Sequence, residues 1–157
     1  MIALTWNLIL ALIWTALWGE FSGSNLFVGL IVGYLVLALT LRDQPEFARY
    51  VTKVPKAIHF FFYFNWELIL SNLRVAYDVL TKTHHMKPGV IAVPLEARSE
   101  GAIAVVANLI SLTPGTLSLD VSSDRSVLYI HVMYLEDKSK VVAEIKDLER
   151  RVLEIIG

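Results

Sequence analysis

The chain opens on two charge-free apolar runs, residues 1–18 and 26–41, separated only by the spacer Gly-Glu-Phe-Ser-Gly-Ser-Asn at 19–25. No Asp, Glu, Lys or Arg precedes Glu20, and none lies between Glu20 and Arg42. Each run, with its polar flanks, is about as long as a helix must be to cross ~30 Å of hydrocarbon. The spacer has room only for a tight turn. Inside lipid a backbone must satisfy its own hydrogen bonds, so both runs are expected to be helical. The pattern predicts a two-span transmembrane hairpin over residues 1–41.

Composition supports a membrane part joined to a polar part. The 157 residues are 55% hydrophobic and 18% charged, too apolar for an ordinary soluble domain and too charged for a wholly buried bundle. The charges are sparse before Arg42 and frequent after Lys82, which resolves the conflict. A net charge of −1 gives no electrostatic case for nucleic acid. Without cysteine there are neither disulfides nor thiolate metal sites. A cleaved signal peptide would carry a basic n-region and a small-residue cleavage site. Here no Lys or Arg precedes the first run, and a second run follows at once. The spacer also lacks Lys and Arg, whereas Arg42, Arg49, Lys53 and Lys56 follow the second run. The positive-inside rule then places the N-terminus and residue 42 onward in the cytoplasm.

Small residues recur every four positions in both runs: Ala11, Thr15 and Gly19 in the first, Gly29 and Gly33 in the second. Such stripes let helix backbones approach closely where no hydrophobic force drives association. These five are the candidate helix-packing residues. Neither run has an ionisable residue in its interior, as a proton relay at membrane depth would need.

Residues 42–82 read as a basic linker and an amphipathic helix starting at Pro55. Lys56, Tyr63, Glu67, Ser71, Arg74 and Asp78 form one polar stripe, and most of the rest is aromatic or aliphatic. That composition suits the bilayer interface. A third span is the rival; its apolar part would have to end before Glu67 or contain it at a cost of ~2.5–3.5 kcal/mol. Glu67, Ser71, Arg74 and Asp78 are the candidate interfacial or subunit-contact residues.

Residues 83–157 read as a small α+β domain of order β-α-β-β-α. Lys87-Pro88-Gly89 marks a boundary, and a strand ending near Pro94 follows. Ser99 is placed to cap a helix to Leu112 that is apolar on nearly all sides, hence buried. Leu117, Leu119 and Val121 alternate with Ser118 and Asp120, as in a strand with one buried apolar face. A turn at 122–125 leads to a paired strand. A last amphipathic helix buries Val141, Ile145, Leu148, Val152 and Ile155 and leaves Glu144, Lys146, Glu149 and Arg150 mainly elsewhere.

No phosphate-binding, dinucleotide, zinc-protease or nucleophile-elbow motif occurs. His84-His85 has a poor spacing for ligands on one helix face, and His131 reads as a packed strand histidine. Asp120 and Asp124 flank a turn, which accounts for them. The residues offer no catalytic constellation, no metal site and no cofactor site.

The segments WELILSNLRVAYDVL, PGVIAVPLEARSE and NLISLTPGTLSLDVSSDRSVLYIHV, following the apolar hairpin, resemble the E component of the multisubunit Mrp, Mnh or Pha cation/proton antiporters. The resemblance covers essentially the whole chain, and SLTPGTL is its most specific piece. It implies an accessory subunit in the bacterial inner membrane, partnered with other antiporter subunits and the lipid bilayer. It implies exchange of Na⁺ or K⁺ for H⁺ by the assembled complex, and it transfers no catalytic residue. Two alternatives stand beside it: a membrane-anchored cytoplasmic binding or regulatory domain, and a subunit lining the ion path.

Overall fold

The computed structural model describes residues 2–81 and 86–156. His84 and His85 lie outside the described residues. The chain divides into two compact units, Met1–Ile58 and His59–Gly157.

The first unit holds α1 (Ile2–Trp18), α2 (Gly23–Thr40) and the start of α3 (Pro45–Leu80). Gly19 ends α1 with φ +69°, a left-handed conformation that a glycine adopts without penalty. Ser22 caps α2 by accepting a hydrogen bond from the Asn25 amide at 3.2 Å. The buried residues of α1 are Ala3, Asn7, Ala11 and Thr15, and those of α2 are Gly29, Gly33 and Leu37. Both sets step by four and lie along one helix face. Nearly all the large apolar side chains of both helices point outward, Leu12, Phe27 and Leu39 among them. Among the described residues α2 alone is long and apolar enough to cross a membrane, while α1 is apolar at 17 residues.

Helix α3 starts ten residues before the expected Pro55. Pro45 occupies its first position, where a missing N–H costs nothing, and Phe47 packs with Ala3 and Leu37. Pro55 therefore sits inside the helix. A proline there deprives the carbonyl four residues back, Val51, of its donor. The Tyr34 hydroxyl donates to that carbonyl at 2.9 Å and replaces the lost bond.

The second unit contains the rest of α3, then β1 (Gly89–Pro94), α4 (Glu100–Leu112), β2 (Thr116–Val121), β3 (Val127–Val132) and α5 (Lys138–Ile156). The strands form one antiparallel sheet in the order β1-β3-β2. Ile91 and Val93 of β1 and Leu128, Ile130 and Val132 of β3 point to one face, where α4 and α5 cover them. Ser99 caps α4 as its sequence predicts, accepting from the Ala102 amide at 3.2 Å. The turn after β2 is held by Asp124, whose carboxylate accepts from the Ser122 and Ser126 hydroxyls at 2.6 and 2.7 Å. Those hydroxyls, Ser122 first, lower the Asp124 carboxyl to about 2.

Three expectations need correction. The first half of β2 is inverted: Leu117 and Leu119 are about half exposed, while Val121, beyond the irregularity between Ser118 and Asp120, packs against the core as expected. Instead Ser118 turns to the helix layer, its hydroxyl donating to the Ala107 carbonyl at 2.9 Å. Helix α4 is buried along one stripe, Ala102, Ile103, Val106 and Ile110, and exposes Val105 and Leu112. Glu149 is buried, only 1% exposed. Its carboxylate accepts from the Glu96 and Ala97 amides at 2.7 and 2.9 Å and pairs with Lys146 at 2.9 Å. The chain leaving β1 has amides that no strand can satisfy, and α5 supplies the acceptor. Periodicity alone does not reveal such a partner.

Glu149→Ala is expected to destabilise the chain by about 3 kcal/mol, because it strands those amides and leaves Lys146 with less of its pairing. Glu149→Gln, which keeps one carbonyl acceptor, should lose less. Amide exchange at Glu96 and Ala97 in the full-length chain measures both. Unchanged protection in the alanine variant would mean the carboxylate holds nothing.

Candidate functional site

The small-residue stripes meet inside the first unit. A methyl group built on Gly29 would lie 2.9 Å from the Ala11 carbonyl oxygen and 3.0 Å from its Cα. One built on Gly33 would overlap the Asn7 side-chain oxygen and come within 3.2 Å of the Leu10 Cβ. These obstacles are backbone or buried groups, so neither position has room for a side chain. Ala11 and Thr15, 0% and 1% exposed, are packed in the same unit. The Thr15 hydroxyl donates to its own helix at the Leu12 carbonyl, 2.8 Å away. Gly19 stands apart: nothing lies within 4 Å of a methyl built on it, and its positive φ is what requires glycine.

Asn7 and Tyr34, two of the few polar residues in the apolar runs, lie beside this contact together with Tyr50, which the sequence does not single out. Asn7 is 3% exposed and donates from Nδ2 to the Tyr50 hydroxyl at 2.6 Å. The Tyr50 ring meets that of Tyr34 edge-on, with centroids 6.1 Å apart. Asn7, Tyr50, Tyr34 and the Val51 carbonyl thus link all three helices of the unit by polar and ring contacts. The available signal was positional: Asn7 lies four residues before Ala11 on the small stripe.

The four candidates on α3 belong to the second unit. Ser71 donates to the Pro114 carbonyl at 2.6 Å. Arg74 lies over the Tyr134 ring at 5.8 Å from its centroid. Asp78 is 3% exposed. Burial first, and then the nearby Asp78 carboxylate, raise the Tyr134 phenol above its ordinary value. Farther up the helix Arg151 covers the Tyr63 ring at 4.3 Å. Ser71 and Asp78 are therefore turned toward the chain's own α+β layer, while Arg74 and Glu67 remain exposed beside it. The outward face of α3 carries Ile58, Phe62, Trp66, Ile69, Leu73 and Tyr77, each more than half exposed. This inverts an ordinary surface helix, which hides its apolar side.

Chemically, these groups hold and pack. No cluster of three or more metal-ligating side chains occurs among the described residues. His131 lies on β3, in register with Val90 and Leu117 on the sheet face opposite the helices.

The family model for a Na⁺/H⁺ ion antiporter subunit, MNHE, matches residues 7–155. The chain belongs to this antiporter subunit family. The E component of the Na⁺/H⁺ antiporter of Alkalihalophilus pseudofirmus is 35% identical over 150 residues, 95% of this chain and 94% of that one. The corresponding Bacillus subtilis protein is 36% identical over 152 residues, with the same shares covered. Among solved structures, a chain of the Mrp complex from Dietzia sp. superposes with a TM-score of 0.51 at 28% identity, over 64% of this chain and 96% of that one. A chain of the membrane-bound sulfane sulfur reductase, an archaeal respiratory membrane complex, gives 0.58 at 25% identity over 96% and 98%. The family is one of transporter subunits, and its match spans both units described above.

Gly29→Ala and Gly33→Ala should both weaken the first unit, the first because its methyl meets the Ala11 backbone and the second because its methyl displaces the buried Asn7 amide. We expect a loss of about 2 kcal/mol, in the range for overpacking a close contact. Gly19→Ala should cost about 1 kcal/mol through its backbone conformation alone. Thermal unfolding of the full-length chain in mild detergent ranks the three. A Gly33→Ala variant as stable as the parent would show that the helices do not meet there.

Proposed function

We propose that this chain is an accessory, structural membrane subunit of a multisubunit monovalent cation/proton antiporter in the bacterial inner membrane. In this reading α1 and α2 cross the bilayer as a hairpin. The spacer at 19–25 is external, and residue 42 onward is cytoplasmic. The outward aromatic face of α3 lies at the membrane interface and the α+β domain is in the cytoplasm. Other subunits of the antiporter are its partners, and the complex serves Na⁺ and pH homeostasis.

One observation carries the accessory role within the family: neither α1 nor α2 contains an Asp, Glu, Lys, Arg or His. A proton or cation path through a membrane needs such groups at depth. Of the polar groups these helices bury, the Asn7 Nδ2 and the Thr15 hydroxyl donate to the Tyr50 hydroxyl and the Leu12 carbonyl, and the Asn7 Oδ1 has no hydrogen-bond partner among the described residues. The inward turn of Ser71 and Asp78 supports a fixed scaffold in place of a conduit.

Cation-driven proton exchange in everted vesicles, with the amount of assembled complex measured in parallel, tests the role. Removal of this subunit should lower assembly and exchange together. Glu67→Gln should leave most exchange and near-normal assembly. Loss of exchange at normal assembly would make Glu67 part of the ion path and overturn the accessory reading. Cysteines placed at Ser22 and Lys138 of this thiol-free chain test the topology. The first should label from outside and the second should not; external labelling at 138 would mean a third span.

A further inference from the structure

The first unit contains a groove that the packing role leaves unused. It has a volume of about 460 Å³ and opens between the first turn of α1 and the start of α3. One wall is apolar, with Ile2 and Leu4 about half exposed. The other wall carries Arg49, Tyr50 and Lys53, and among the described lining residues Glu46 is the one acidic group. Arg49 and Lys53 are four residues apart on one helix and so share a face, and Lys56 follows at the next turn. The first turn of α1 has no acidic residue, so the positive end of its dipole also faces the groove unneutralised by its own side chains.

We propose that this groove binds one anionic phospholipid, its headgroup phosphate held by Arg49 and Lys53 and an acyl chain laid along Ile2, Leu4 and the outward side of α1. The inference rests on the membrane reading above. Charge complementarity decides the occupant. Two cations against one carboxylate favour an anion, and an apolar wall continuous with the exposed face of a hydrophobic helix favours an amphiphile over a soluble ion. Basic pockets beside membrane helices on the cytoplasmic side have the character that selects anionic headgroups. Tyr50 connects the groove to the helix contact, since its hydroxyl accepts from Asn7. An occupied groove thereby braces the same three-helix junction.

Trp6 lies one helical turn beyond Ile2 and is half exposed, so it can report on the lipid beside it. The probe is a full-length chain with Trp14, Trp18 and Trp66 changed to Phe, placed in phosphatidylcholine vesicles. A minor fraction of the lipid is brominated phosphatidylglycerol, or brominated phosphatidylcholine in the control. Quenching of Trp6 by the anionic lipid should exceed that by the zwitterionic lipid about fivefold at equal mole fraction, as one effective headgroup cation predicts. Arg49→Gln with Lys53→Gln should bring the ratio to about one. Arg49→Lys with Lys53→Arg should retain it, as should Arg98→Gln with Lys140→Gln, which removes equal charge elsewhere. Equal quenching by both lipids in the parent, or an unchanged ratio in the first double variant, overturns the site. An equal fall in both glutamine pairs also overturns it, because the attraction would then be one of net charge. Absence of quenching by either lipid would remove the membrane reading and this site with it.

Discussion

Two helices that meet backbone to backbone set the terms for the first unit. Leucine-rich helices gain nothing from hydrophobicity by touching one another in lipid, so contact has to come from close fit. Gly29 and Gly33 provide the fit by having no side chains, and Ala11 and the Asn7 main chain fill the space. The same approach brings Asn7 to Tyr50 and Tyr34 to the carbonyl that Pro55 cannot serve. A proline within α3, costly in isolation, is tolerated because the helix packed beside it supplies the missing donor. The junction thus depends on two glycines more than on any large side chain.

The second unit solves a different problem. On α3 it turns Ser71 and Asp78 inward and leaves an apolar aromatic surface outside. Ser71, Arg74 and Asp78 bond or pack within the unit, while Phe62, Trp66, Leu73 and Tyr77 are exposed along α3. In water this arrangement would be unstable; against a bilayer interface it is the favourable one. The buried carboxylate of Glu149 fixes the chain between β1 and α4 and so secures the layer on which the stripe packs.

Much of this was legible in the sequence. The charge-free runs identified the first two helices, and the Gly29/Gly33 spacing marked a close-packing face without saying which helix meets it, since local periodicity records a face and not its partner. Ser99 announced its helix through capping chemistry, and the alternation in 117–121 announced a strand. The errors share a cause. The start of α3 was misplaced because Pro55 looked like an initiator, and only the distant Tyr34 hydroxyl makes an internal proline acceptable there. The exposed face of β2 was misread because Ser118 finds partners on α4, at Ala107 and Ser111. Glu149 was assigned to the polar side because the amides it accepts from lie about fifty residues away. Periodicity records which side chains are apolar; it does not record which polar groups have partners brought by the fold. The family resemblance was legible from the SLTPGTL segment, which structural reasoning alone does not explain.

The central claim is that α1 and α2 touch at Gly33 and Asn7 when the chain is in a bilayer. Solid-state NMR on the full-length protein in lipid, with labelled glycine and asparagine, measures it directly. The account predicts a cross-peak between the Gly33 Cα and the Asn7 side-chain amide carbon. Its absence, with the signals of both residues otherwise resolved, would contradict the helix contact on which the first unit is built.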